Sequence, residues 1–205
     1  ALYTQNFTGG QITYNTAVGF EAAYNLTTGV QNTFIGYQAG TGATNPSYTT
    51  AVGKSALGGG SLSGSYNTAV GRTSGLAMAG GANNTLVGFA SGEAMTTGIQ
   101  NVLIGSSAGD ALTDADYNTA VGMNALTADT LGSNSTAIGN GALASQNFTS
   151  ATASQNVAVG NSAGYAVTTG TLNTFIGHSA GNAVTTGYDN IAIGRNSGSA
   201  GTSAS

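Results

Sequence analysis

The sequence predicts an all-β chain wound as a parallel β-solenoid, a flattened β-roll of about 11 coils with a 17-residue period. Three observations lead there. A short run of an apolar or small residue, then Val or Ile, then Gly recurs with its Gly at 19, 36, 53, 71, 88, 105, 122, 139, 160, 177 and 194. The intervals are 17 apart from one of 18 and one of 21, whereas helical repeats need about 33 residues or more. Finally, 34 of the 205 residues are Gly while Pro occurs once and Cys not at all. That is the composition of tight turns, with no disulfide framework or thiolate metal site to hold them.

Each coil can be read in order from its marker Gly. The residue before it is Val or Ile in all eleven copies, position −3 is Thr in eight, and position −4 is Asn in nine, with Thr49 and Ser135 as the exceptions. This β-branched run is a short strand, ended by a Gly that permits a turn other residues resist. Position +3 is always Ala or Ser. A second apolar column stands at +7, as in Leu26, Ala43, Met78, Met95, Leu112, Val167 and Val184, interrupted by Gly60, Asp129, Gln146 and Gly201. It reads as a shorter second strand, followed by turn punctuation such as Thr-Thr-Gly at 27–29 and 96–98. The extra residue at Gly58–Ser61 and the four extra between Ser145 and Gln155 both fall in the turn half of a coil, where lengthening costs little. Residues 1–14 are expected to form a partial coil that caps the start, 15–201 the repeat domain and 202–205 a tail.

Strand side chains alternate between faces, so positions −1 and −3 share one face and position −2 takes the other. Position −2 is apolar throughout and includes Phe34, Leu86, Leu103 and Phe175. A sheet apolar on both faces is one covered on both. The interior of the roll covers one face, and the −2 face is expected to pack against other chains. A homotrimer with Phe34, Leu86, Leu103 and Phe175 at its inter-chain contacts follows, and open strand edges allow end-to-end stacking as well.

Composition excludes several functions. Three Lys plus Arg residues cannot build the basic stripe that nucleic acid requires. No run of 18 apolar residues is present, so no membrane-spanning helix is expected, and no leader pattern opens the sequence. The single His, His178, has no acid or nucleophile in any recognisable motif, and the chain is not expected to be an enzyme. Asp110, Asp114 and Asp116 lack the alternating donors of a calcium loop, so neither metal nor cofactor is expected. His178 belongs instead to a chemically mixed column at +1 that reads as outward-facing. Tyr37, Phe89 and His178 in that column are the candidate contacts for a cell-surface glycan. Tyr14, Tyr48, Tyr66 and Tyr117, all at −5, read as braces between coils.

The run Asn134-Ser135-Thr136-Ala137-Ile138-Gly139-Asn140-Gly141-Ala142-Leu143-Ala144 resembles the head repeat of trimeric autotransporter adhesins. Units such as Asn32-Thr33-Phe34-Ile35-Gly36-Tyr37-Gln38-Ala39-Gly40 and Asn173-Thr174-Phe175-Ile176-Gly177-His178-Ser179-Ala180-Gly181 are similar to repeats of bacteriophage tail fibres. The resemblance implies a left-handed parallel β-roll with three chains side by side. It also implies a structural or adhesive role outside the cell, on a virion tail or a cell surface, spacing or presenting a receptor-binding surface. The unit here is longer than the adhesin repeat, and no coiled-coil stalk or fibre chaperone is recognisable in it. A self-assembling extracellular filament is the alternative. An ice-binding solenoid is more remote, since the Thr-Thr pairs stand only in coils one, five, nine and ten and form no continuous ladder.

Overall fold

A computed structural model describes residues 1–5 and 12–199. The described residues are all-β and contain no helix. The strands are Thr16–Val18 (β1), Thr33–Ile35 (β2), Thr50–Val52 (β3), Thr68–Val70 (β4), Thr85–Val87 (β5), Val102–Ile104 (β6), Thr119–Val121 (β7), Gly132–Ser133 (β8), Thr136–Ile138 (β9), Thr152–Ala153 (β10), Val157–Val159 (β11), Thr174–Ile176 (β12) and Ile191–Ile193 (β13). Eleven of them form one parallel sheet in chain order, from β1 to β13, leaving out β8 and β10. The register is in phase throughout, as in Ala17↔Phe34 and Leu86↔Leu103. Ten turns of solenoid therefore link eleven rungs, a rod of roughly 50 Å at the usual strand spacing of about 4.8 Å.

The shorter second strand expected at +7 forms in none of the described coils; the one additional strand pair, β10 with β8, lies further along the coil, beside the long insertion. Elsewhere that side is a stack of turns bonded coil to coil, as in Ala79 N–H to Thr96 C=O at 2.8 Å and Thr96 N–H to Thr113 C=O at 2.9 Å. The winding comes from four left-handed residues per coil, at −5, 0, +2 and +4. In one coil these are Gln100 (φ 57°), Gly105 (φ 140°), Ser107 (φ 53°) and Gly109 (φ 54°). The marker must be Gly for a second reason too: a Cβ on Gly36 would stand 2.5 Å from the carbonyl oxygen of Gly53 in the next coil. Ahead of the first strand, Leu2 N–H bonds the Ala22 C=O and Thr4 N–H the Tyr24 C=O of coil one; residues 6–11 of the partial coil expected over 1–14 lie outside the described residues. The tail expected at 202–205 lies outside the described residues.

The assignment of faces is the reverse of that expected. Phe34, Leu86, Leu103 and Phe175 are fully buried inside the roll of a single chain, so they are core residues and no inter-chain contact can reach them. Their room comes from position +4 of the same coil. Phe34 and Phe175 face Gly40 and Gly181, and a Cβ at either glycine would enter the ring. Where +4 is Leu, as at Leu57, Leu126 and Leu143, position −2 is Ala51, Ala120 or Ala137. Large and small residues thus exchange sides within a constant section, as close packing demands. The +7 column completes the core, with Leu26, Ala43, Met78, Met95, Leu112, Val167 and Val184 all buried as expected. In the 18-residue coil Leu62 is buried where Gly60 supplies no side chain.

Two buried polar systems run beside this core. At position −4 an asparagine ladder joins successive coils. Asn101 Nδ2 donates to Ala115 C=O at 2.7 Å, and Asn101 Oδ1 accepts from Asn118 N–H at 2.9 Å. The same pair of bonds recurs at Asn84 and Asn173. Beside the long insertion the +7 column turns polar: Asp129 Oδ2 accepts from Gln146 Nε2 at 2.6 Å, and Asp129 Oδ1 accepts from Gly132 N–H and Phe148 N–H. Gln146 Oε1 in turn accepts from Asn156 Nδ2 at 2.8 Å, so the buried carboxylate and amide are partnered, as burial requires.

Candidate functional site

With −2 turned inward, the strands present −3 and −1 to solvent. The −1 column is a continuous stripe of Val and Ile, 36–40% exposed at Ile35, Val70, Ile104, Ile138 and Ile176 and more so at the rod ends. Thr occupies −3 beside it in eight coils, including the first five in succession. Eleven β-branched apolar side chains on a regular parallel sheet make an apolar face with no cover in the single chain. The turn residues are differently arranged. One concavity on the turn side, about 530 Å³, is lined by residues such as Thr27, Thr41, Thr44 and Gly59. Its hydroxyls bond neighbouring coils, Thr27 Oγ1 to Thr44 C=O at 2.9 Å and Thr41 Oγ1 to Glu21 C=O at 3.0 Å, so it is part of the turn stack.

The +1 column is outward, as expected, and its first five members form two interacting groups, Phe20–Tyr37–Lys54 and Arg72–Phe89. The rings of Phe20 and Tyr37 stack at 5.3 Å with 15° between planes. Lys54 Nζ lies 5.6 Å from the centre of the Tyr37 ring, and Arg72 Cζ lies 5.4 Å from that of Phe89. Aromatic and cationic groups therefore alternate in blocks along one edge, held by stacking and by cation–π attraction worth about 0.5–1 kcal/mol at exposed sites. Of the three candidate glycan contacts, Tyr37 and Phe89 stand on this edge in the second and fifth coils, while His178 is in the tenth. They share a column and form no single cluster. Tyr37 has both ring faces occupied, by Phe20 and Lys54, whereas Phe89 has one face covered, by Arg72. Lys54 and Arg72 were the residues that reading aromatics alone missed, although their column was visible in the sequence.

The Tyr column at −5 braces coils in one place: Tyr48 and Tyr66 stack at 4.9 Å with parallel planes. The three clustered aspartates each serve the backbone or hydroxyl of a neighbouring coil. Asp110 accepts from Thr127 Oγ1, Asp114 from Thr97 Oγ1, and Asp116 from Ile99 N–H. Among the described residues no group of three or more His, Cys, Asp or Glu is placed to hold a metal ion, and no helix is long and apolar enough to cross a membrane. No protein-family model, curated protein or solved structure matches the chain.

Proposed function

We propose that this chain is a structural and adhesive segment of an extracellular fibre, on a virion tail or a cell surface, and that it works as a homotrimer. The observation that carries the reading is the uncovered Val/Ile stripe on the −1 face. Burying what remains exposed of each such side chain contributes on the order of 0.5–1 kcal/mol, and the contributions add along the rod because every coil supplies one. The similarity to adhesin heads and tail-fibre repeats supplies the number three. The inter-chain residues are then Ile35, Val70, Ile104, Ile138 and Ile176, in place of the −2 column. The proposed role is mechanical and presentational, with no catalytic step.

Light scattering tests it. The native protein is expected at three times the chain mass of 19.9 kDa. Ile104→Asp should release single chains that keep their β-sheet circular dichroism, since Ile104 is 37% exposed in the isolated chain. Leu103→Asp, one residue away, should instead unfold the middle coils by burying an unpaired charge. A native protein that is monomeric at micromolar concentration overturns the trimer.

The ice-binding reading gains one specific observation, because the eight Thr at −3 are displayed on the same regular sheet, flanked by Val or Ile two residues on. It requires that face to be open to water, whereas the trimer closes it. Thermal hysteresis together with a monomeric mass would favour ice over the fibre.

A further inference from the structure

The chain carries four basic side chains, Lys54, Arg72, His178 and Arg195, and all four occupy the +1 column, while none of its seven acidic residues does. With a net charge of −4, the rod has a single basic edge that chance placement over 17 columns does not give. Lys54 and Arg72 are exposed and stand on adjacent rungs, so their backbones are about 4.8 Å apart. Tyr37 lies against one and Phe89 against the other. The rings orient both cations and leave their charge intact. An anion with two oxygens, bridging the pair by charge-assisted hydrogen bonds, is the counter-charge this arrangement fits.

The next rungs add a place for a sugar ring. Phe89 is 49% exposed and Arg72 takes the face toward the fourth coil. Its other face looks toward Ser106, which is small and exposed, with Met123 beyond it. Phe89 and Met123 are two rungs apart, about 9–10 Å between backbones, with only the short side chain of Ser106 between them, a spacing that matches a pyranose ring stacked on Phe89. From Arg72 to Ser106 is also two rungs, the length of about two sugar residues.

We propose that this edge binds an acidic oligosaccharide lying along the rod. A carboxylate or sulfate of one sugar is bridged by Lys54 and Arg72, and a following sugar stacks on the free face of Phe89 over Ser106. The inference rests on the fibre reading, in which the site repeats around a trimer and weak single contacts gain avidity.

The experiment titrates the native protein with hyaluronan hexasaccharide, heparin hexasaccharide and neutral cellohexaose, with the mass measured on the same samples. At least one acidic oligosaccharide is expected to bind tenfold or more tightly than cellohexaose. K54Q/R72Q should lose tenfold or more of that affinity, F89A about fivefold with its salt dependence unchanged, and R195Q nothing. No preference for an acidic chain over cellohexaose, or undiminished binding by K54Q/R72Q, overturns the proposal. Binding lost in K54Q/R72Q and intact in F89A overturns it too, since charge alone would then be acting. A trimer that fails to bind sinks this site and leaves the fibre standing, whereas a monomer sinks the fibre and leaves the titration to judge the site.

Discussion

A phenylalanine fits inside a 17-residue coil because the residue six positions later has no side chain. Phe34 and Gly40 form such a pair, and Ala51 with Leu57 is its inverse. Phe34→Ala should therefore destabilise by about 3–5 kcal/mol, as large-to-small core changes do, and Gly40→Leu by several kcal/mol through overlap with the ring and a left-handed φ of 60°. The double variant reproduces the arrangement of the 51/57 coil and is expected to recover at least half of the combined loss in a urea titration; strictly additive losses would refute the pairing. This exchange also shows why the faces were misassigned from sequence. Bulky residues at −2 suggested a partner outside the coil, since alternation along a strand says which residues share a face and not which face is inside. The compensation at +4 was nonetheless written in the repeats, with Leu at 57, 126 and 143 standing only where −2 is Ala.

At the scale of the coil, the asparagine ladder explains a pattern that the sequence displayed without its cause. Asn at −4 was plain in nine copies, but its acceptor carbonyl is 14 residues further along the chain, and only the winding brings Asn101 to Ala115. The ladder satisfies donors and acceptors that the core would otherwise strand. Asn101→Ala leaves the Asn118 N–H and the Ala115 C=O buried without partners, at about 1–3 kcal/mol each. A loss of roughly 2–5 kcal/mol is expected in chemical denaturation, and a loss below 1 kcal/mol would mean that water replaces the amide. Asn101→Asp should be no better, because a carboxylate cannot donate to Ala115. The second strand, by contrast, was over-read. Apolar spacing at +7 located the core correctly, but the backbone there bends, as at Thr113 and Asp114, between the left-handed residues at +4 and at −5 of the next coil, and makes no ladder.

Across the whole molecule each coil touches only its neighbours, so the place of a defect matters as much as its chemistry. A Cβ on Gly105 would collide with Gly122 of the next coil, while one on Gly194 would meet nothing within 4 Å. Gly105→Val should divide the stack and lower the melting temperature by ten degrees or more, and Gly194→Val should fray one end with a shift of a few degrees. Equal shifts would contradict nearest-neighbour stacking. The period, the parallel order and the insertion sites were legible because repetition averages out the ambiguity of any single coil. The basic edge was harder to see, since its members are 17 or 18 residues apart and only the stacking makes neighbours of Lys54 and Arg72. The bonds of the main sheet all run along the axis of the rod, from coil to coil. A pull applied to the two ends of a chain is therefore borne by one layer of bonds at a time. Each layer that parts frees 17 residues, about 55–60 Å of extended chain, in place of about 4.8 Å of rod. Under load such a tether lengthens in equal steps, dissipating energy with each coil it gives up, and the last intact rung remains as the template on which the slack rewinds.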